Sequence, residues 1–443
     1  MVVSSRPGHL AVARPVALGG ARVRESGLAA RGPMLTVAAM EAAAFPIAGP
    51  ELAPRRVGRF QRPAIVHHWL VARRGGEKVL DALLELLPTA EVYTLVHDPA
   101  ACALPQRRRV HVPTVSRVPG MRRAFRAALP WHARTFAAFD LSRHDLLLTS
   151  DAALAKAARP ARGVPHVCYC YSPPRWAHDL RELYVGSLAA PLRPAARAVL
   201  GRVADDDRRA AAGVTAFVAI SRHVAARIER AYGRTATIVP PPVDTTFFTP
   251  AVAPVEIDPE LGAFGLELAA LAQRSGRRPY LALGHVVPYK RFDVAVAACR
   301  ELDRPLVVAG DGPGFARLRR DAGIETLFLR RPSDRQVRAL YRAAAALLFP
   351  GEEDFGLVPV EAMACGTPVV ALARGGAAET VIDGVTGCLY DEGTERAVAA
   401  LTAAIRRFES LAGGLSPRAA VARAADFAPG HFRRRLLGLL EGM

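Results

Sequence analysis

The stretch GEEDFGLVPVEAMACGTPVVA, residues 351–371, decides the fold. An apolar run, ALLFPG at 346–351, reads as a buried strand that ends at Phe349. A turn follows with Glu352, Glu353, Asp354 and Gly356, and a helical pattern begins near Val358 with Pro359 suited to its first turn. A second apolar run, PVVALA at 368–373, returns to the sheet. Glu353 stands before the helix and Glu361, eight residues on, about one turn into it. Backbone N–H groups at a helix start can hold a phosphate or hydroxyl groups, and carboxylates accept hydrogen bonds from vicinal hydroxyls and so orient them. The competing reading is an acidic turn that only complements the helix dipole.

Working outward, the same alternation runs in both directions. YLALG (280–284), PLVVAG (305–310) and TLFLR (326–330) read as strands with helical patterns between them. Upstream, AIVHHWL (64–70), EVYTLV (91–96), DLLLTS (145–150), HVCYCY (166–171) and AFVAIS (216–221) read likewise. GGEKVLDALLELLP (75–88) reads as an amphipathic helix, with Val79, Leu80, Leu83, Leu84 and Leu87 on one stripe. Strands alternating with helices indicate parallel sheets covered on both faces. The run Pro240, Pro241, Pro242 suits neither element type, so the domain boundary is placed just after it. The expected fold class is α/β, with two Rossmann-like doubly wound domains facing a cleft. The expected parts are a basic arm or mis-assigned start at 1–59, an N-terminal acceptor-binding domain at 60–242, a linker region at 243–275, and a C-terminal nucleotide-sugar-binding domain at 276–443 whose last helix packs back on the first domain. Ligands of such sheets bind beyond the carboxyl ends of the strands, where the strand order reverses.

Composition narrows the class. Of 443 residues, 51% are hydrophobic, which excludes a mainly disordered chain. No apolar stretch approaches the ~18 residues of a spanning helix. The net charge is +18, but Lys78, Lys156 and Lys290 are the only lysines among 59 cations, so the charge reads as arginine spread over the whole chain. Nucleic acid is therefore not an expected partner. The six cysteines, Cys102, Cys168, Cys170, Cys299, Cys365 and Cys388, lack paired metal-finger spacing and read as buried thiols of a reducing compartment. Residues 107–136 carry eight arginines, no acid and interleaved Phe125 and Trp131, a pattern suited to an anionic membrane surface.

With these residues in view, the chain resembles family 4 of the retaining GT-B glycosyltransferases. Glu353 to Glu361 matches that family's E-x7-E pattern, and the match continues through Gly366, Pro368, Gly375, Gly376, Glu379 and DGVTG (383–387). VPYKRFDVAV (287–296), AGDGP (309–313) and GGEKV (75–79) belong to it too. VHHWL, CYCYSPPRWAHDL, ISRHV and PPVD are similar to a bacterial mannosyltransferase-like branch that serves surface polysaccharide and lipopolysaccharide assembly. The resemblance covers roughly residues 63–440.

The resemblance implies roles. Lys290 would neutralise the leaving diphosphate, whose charge grows in the transition state, with Arg291 beside it. Glu353 and the backbone around Asp354, Phe355, Gly356 and Leu357 would hold the transferred hexose. Glu361 would grip the ribose hydroxyls, and Gly75, Gly76, Gly375 and Gly376 would allow close approach of the donor. Catalytic roles thus fall to Glu353, Lys290 and Tyr171. Three positions depart from the branch: Tyr171 stands where it has a histidine that contacts the donor sugar, Gly284–His285 where Gly-Arg is common, and His68 where Asp is usual. No metal or other cofactor is expected. The expected activity is transfer of a hexose, mannose from GDP-mannose, to a glycan or lipid-linked sugar, in the cytoplasm or on the inner face of the cell membrane. The alternative is a degenerate, non-catalytic protein that holds a nucleotide sugar or glycan.

Overall fold

A computed structural model describes residues 59–443, apart from 106–107, 115–124, 126–127, 187, 252–257, 394–395 and 412. Nearly all of the basic arm, residues 1–58, lies outside the described residues. The first sheet contains β1 (Pro63–His67), β2 (Glu91–Thr94), β3 (Val110–His111), β4 (Leu146–Asp151), β5 (His166–Cys170), β6 (Ala216–Ala219) and β7 (Ala236–Ile238). Its order is β3-β2-β1-β4-β5-β6-β7, with every pairing parallel. The second contains β8 (Tyr280–His285), β9 (Leu306–Asp311), β10 (Thr326–Arg330), β11 (Leu347–Phe349), β12 (Val369–Leu372) and β13 (Gly387–Tyr390). Its order is β10-β9-β8-β11-β12-β13, also all parallel. The fold is therefore the expected pair of doubly wound domains. Strand order reverses at β1/β4 in one sheet and at β8/β11 in the other.

Burial explains why the apolar runs became strands. Residues of β1, β4, β5 and β11 are buried throughout, so an extended segment with apolar side chains on both faces is covered by helices on both sides. The helix Gly75–Leu86 presents Val79, Leu80, Leu83 and Leu84 to the core, as its stripe requires. The terminal helix Pro429–Glu441 lies on the first domain, where Phe432 meets Tyr169 edge-on with ring centroids 5.8 Å apart and Arg433 pairs with Glu85 at 2.5 Å. All six cysteines are buried free thiols.

Several details differ from the sequence reading. Within the expected linker, Ala263–Ser275 is a helix with Leu268 and Leu271 buried. Strands β3, β7 and β13 were not expected, because they are short or lie inside turn-rich sequence. In the basic stretch, most of 115–127 lies outside the described residues. Phe125 is buried against Trp69, with centroids 5.3 Å apart, so it is core rather than a surface anchor, whereas Trp131 is 58% exposed. Arg108 spends its donors on the carbonyls of Leu84, Pro88 and Ala90.

The third lysine has a structural role. Lys156 is fully buried between Asp151 at 2.8 Å and Asp207 at 2.5 Å. Asp207 also accepts from Tyr232 at 2.7 Å and contacts His178 at 2.8 Å. Burial alone would lower the lysine's pKa, but the two carboxylates hold it well above its usual value. Lys156→Ala strands two buried carboxylates, and a denaturant melt should show a loss of about 3–5 kcal/mol. A wild-type midpoint would contradict that role.

Candidate active site

The β8/β11 switch point of the second sheet carries two turns. After β8 the chain turns through Pro288–Lys290, and after β11 through the acidic turn. Lys290 Nζ lies 2.7 Å from Glu353 Oε1, which joins the two turns. Burial pulls the lysine's pKa down, but Glu353 raises it more, and the net value lies above its usual one. Lys290 therefore carries its charge at neutral pH. Two glycines make the approach possible. A Cβ at Gly351 would sit 2.6 Å from Lys290 Cα, and one at Gly376 would sit 2.2 Å from Phe355 Cα. Neither gap admits a side chain. The Gly376 N–H also donates to Glu353 O at 2.8 Å. Gly375 and Gly376 are thus placed as a buttress behind the acidic turn.

Gly356, at φ +82°, precedes the helix Leu357–Ala364, and Pro359 falls in its first turn, where a missing N–H leaves nothing unpaired. Glu361 is buried there. It accepts from the Tyr341 hydroxyl at 2.9 Å and faces Lys78 Nζ of the first domain at 3.7 Å. Burial raises its pKa against the opposing effects of Lys78 and Tyr341. Arg291 is not beside the Lys290–Glu353 pair in its bonding: its guanidinium pairs with Glu392.

On the first domain, the first turn of the helix Gly75–Leu86 rests on a network at the ends of β1, β4 and β5. Tyr171 Oη donates to Gly76 O at 3.0 Å and lies 2.8 Å from Ser150 Oγ. Ser150 Oγ in turn is 2.9 Å from His67 Nδ1, and Ser150 O is 3.3 Å from His68 Nδ1. The departure from histidine to Tyr171 thus gives the start of the helix a hydroxyl tie. Burial and the Glu77 and Asp151 charges hold the phenol well above its usual pKa, although its Ser150 contact opposes them, so it acts as a neutral donor. Gly75 approaches Leu357 of the other domain so closely that a Cβ would meet Leu357 Cδ1 at 2.6 Å. Although the sequence gives no expectation of a metal, His67, His68 and Glu77 bring ligand-type atoms within 4.8 Å of one another. Glu77 was not linked to the histidine pair because it lies one strand-to-helix turn away. Its carboxylate takes the Arg74 N–H at 2.8 Å, and the imidazoles beside it outweigh burial and lower its pKa. At the other departure, burial and the Arg74 charge lower the pKa of His285.

The residues that sequence reading missed are those that join the domains at Asp354. Its carboxylate lies 3.3 Å from Arg227 Nη1 and 3.9 Å from Arg175 Nη1, and its carbonyl accepts from Ser221 Oγ at 2.6 Å. Burial raises its pKa against these arginines. Glu379 accepts from the N–H groups of Arg222 and His223, at 2.8 and 2.7 Å, at the start of the helix Arg222–Tyr232. Arg175 and Ser221 stood inside the quoted SPPRW and ISRHV runs, which was the available signal.

Two family models match the halves of this site: one described as Glycosyltransferase Family 4 covers residues 73–247, and one described as Glycosyl transferases group 1 covers residues 267–424. The chain belongs to the family 4 GT-B glycosyltransferases. A GDP-mannose-dependent alpha-(1-6)-phosphatidylinositol monomannoside mannosyltransferase of Mycolicibacterium smegmatis is 35% identical over 233 residues, 48% of this chain and 56% of that protein. A D-inositol 3-phosphate glycosyltransferase of the same organism is 36% identical over 166 residues, 35% of this chain and 36% of that protein. This chain thus spans little more than half of the first relative and about a third of the second. The structure of Anabaena HepE in complex with UDP-glucose matches with a TM-score of 0.57 at 17% identity, over 86% of this chain and all of that one, which shows the shared fold.

The first domain has a pH limit written into its buried histidines. Burial, with the His67 charge, lowers the His68 pKa to about 3, and burial lowers that of His166 in β5 to about 4. An unfolded chain binds these protons near pH 6.5, so stability is complete above that pH and lost as pH falls toward those values. Thermal melts should show a cost of about 1–2 kcal/mol per histidine between pH 7 and pH 5. His68→Asn should flatten the profile. An unchanged midpoint across that range would refute the assignment.

Proposed function

We infer that the chain is a retaining hexosyltransferase that takes a nucleotide sugar in the cleft and passes the hexose to a glycan or lipid-linked acceptor. The observation that carries this reading is the Lys290–Glu353 pair, a charged lysine and a carboxylate brought together at the β8/β11 switch point of the second sheet. Lys290 and the start of the helix Leu357–Ala364 meet the donor diphosphate, and Glu361 meets the ribose. In a front-face transfer, the bond from the anomeric carbon to the diphosphate oxygen breaks. The acceptor oxygen bonds to that carbon on the same face, and the acceptor proton passes to the leaving oxygen. Charge builds on the diphosphate as this happens, so the lysine stabilises the transition state more than the bound donor. The intact pair favours this over a non-catalytic holder of sugars. Mannose and a guanine nucleotide are the first choice of donor, supported by the mannosyltransferase relative. No metal is assigned to the step.

Two variants test the roles apart. Lys290→Ala should lower kcat by about a hundredfold with donor affinity nearly kept. Glu361→Ala should weaken nucleotide-sugar binding about tenfold. A change in Lys290→Ala confined to KM would sink the first role, and calorimetry on Glu361→Ala with wild-type affinity would remove the second.

For location, no described helix is long and apolar enough to cross a membrane. The exposed Trp131 in the arginine-rich stretch supports a peripheral contact with the anionic inner face of the cell membrane. Each basic residue near such a surface contributes up to ~1 kcal/mol. Sedimentation with anionic vesicles should show binding that salt removes; equal binding to neutral vesicles would reject the contact.

A further inference from the structure

Strand β1 ends at His67, so the two consecutive histidines His67 and His68 lie side by side rather than on opposite faces of the sheet. Their ring centroids are 4.1 Å apart. Glu77, in the first turn of the helix Gly75–Leu86, joins them, and each of the three side chains brings a ligand-type atom within 4.8 Å of the others. All three are buried, His67 completely. The transfer described above uses none of them.

The hydrogen bonds around the cluster decide which ring nitrogens are free. The Tyr171 hydroxyl donates to Gly76 O at 3.0 Å. It can then only accept from Ser150 Oγ, 2.8 Å away, which spends the serine proton. Ser150 Oγ in turn must accept from His67 Nδ1 at 2.9 Å. The neutral His67 ring therefore carries its proton on Nδ1 and a lone pair on Nε2. His68 Nδ1 faces the Ser150 carbonyl at 3.3 Å, and a carbonyl only accepts, so the other nitrogen of that ring is free as well. Metal-binding histidines are held in this way, with the second ring N–H on a backbone carbonyl or other acceptor that fixes tautomer and orientation.

His67 Nε2 is buried and has no hydrogen-bond partner among the described residues. It faces Glu77 Oε1 across 3.7 Å. The other Glu77 oxygen accepts the Arg74 N–H at 2.8 Å, which fixes the carboxylate. A nitrogen lone pair and a carboxylate oxygen thus confront each other out of water, and an unpaired buried polar atom costs free energy. A cation between them removes that cost. In a tetrahedral zinc site, with bonds of about 2.0–2.1 Å, ligand atoms stand about 3.3 Å apart. The His67–Glu77 gap is close to that, and the whole set lies within about 1.5 Å of it.

We propose that His67, His68 and Glu77 form a three-ligand site for a divalent transition-metal ion of the zinc class, with water in the fourth place. Two imidazoles and a carboxylate suit such an ion, whereas magnesium and calcium prefer oxygen ligands throughout. The ion braces the end of β1 against the start of the helix Gly75–Leu86. No bond or proton of the sugar transfer passes through it. The site stands apart from the transferase reading, because metal uptake is read by stoichiometry and melting whatever the donor.

The experiment uses the full chain, stripped with a chelator, and isothermal calorimetry with zinc chloride and with magnesium chloride. Wild-type protein should take up about one equivalent of zinc and no magnesium, and its melting temperature should rise with zinc concentration. Glu77→Gln keeps an oxygen for the Arg74 N–H and so keeps the helix start; it and His68→Asn should each weaken zinc binding about a hundredfold. Ser150→Ala should weaken it about tenfold, since the His67 ring then loses the acceptor that sets its tautomer. His431→Gln, in the terminal helix, should bind zinc as the wild type does. Melts of every variant without metal confirm folding, and cobalt(II) in place of zinc should give the visible absorption of a four-coordinate site in the wild type alone among wild type, Glu77→Gln and His68→Asn. Failure of folded wild-type protein to take up zinc overturns the site and leaves a proton as the cation between His67 and Glu77. Wild-type zinc affinity in folded Glu77→Gln or His68→Asn places the ion elsewhere and equally overturns it.

Discussion

The partly buried carboxylate of Asp354 is the point on which the two halves of the molecule meet. It sits at the end of β11 in one sheet and is held by Arg175 and Arg227 of the other domain. A charge taken out of water needs such partners, since breaking a buried pair leaves an uncompensated ion. The constraint spreads from there. The turn that carries Asp354 also carries Glu353, so fixing one carboxylate across the cleft fixes the other against Lys290. The glycines behind and beneath the turn, Gly376 and Gly351, leave it no room to move. The site is rigid because its charged groups are paired and its backbone has no slack.

The same economy shows at Tyr171. A hydroxyl that holds the Gly76 carbonyl and Ser150 ties the first turn of the helix Gly75–Leu86 to the sheet's end. A histidine at this position would be close to its ordinary titration range unless burial shifted it, as burial shifts its neighbour His68. The phenol is neutral throughout the physiological range, so this part of the cleft keeps one charge state.

Much of this was legible in the sequence for physical reasons. Strands buried on both faces must be apolar throughout, so β1, β4, β5, β8, β9 and β12 announced themselves. The acidic turn and the helix after it were legible because strand, glycine turn and proline at the helix start are local signals. Other elements left no such trace. Strand β3 has two half-buried residues, β7 exposes Thr237, and β13 starts inside the DGVTG turn. The helix Ala263–Ser275 was hidden by its position after a proline-rich run and by only partial burial of its apolar residues. In the site, single residues could be named but not their partners. Arg175, Arg227 and Glu379 meet groups more than 100 residues away in sequence, and no pattern within one segment reports such a meeting. Arg291 shows the reverse: adjacency to Lys290 suggested a shared task, and folding gave it Glu392 instead.

The helix Arg222–Tyr232 has its first N–H groups met by Glu379, a side chain of the opposite domain, while Ser221 both caps that helix and donates to the Asp354 carbonyl. One domain thus completes the secondary structure of the other, in the manner of a clasp. When the halves part, water takes over the two freed N–H groups and the carboxylate, an exchange that costs only about 1 kcal/mol per bond. Any opening of the cleft would therefore also uncap this helix end.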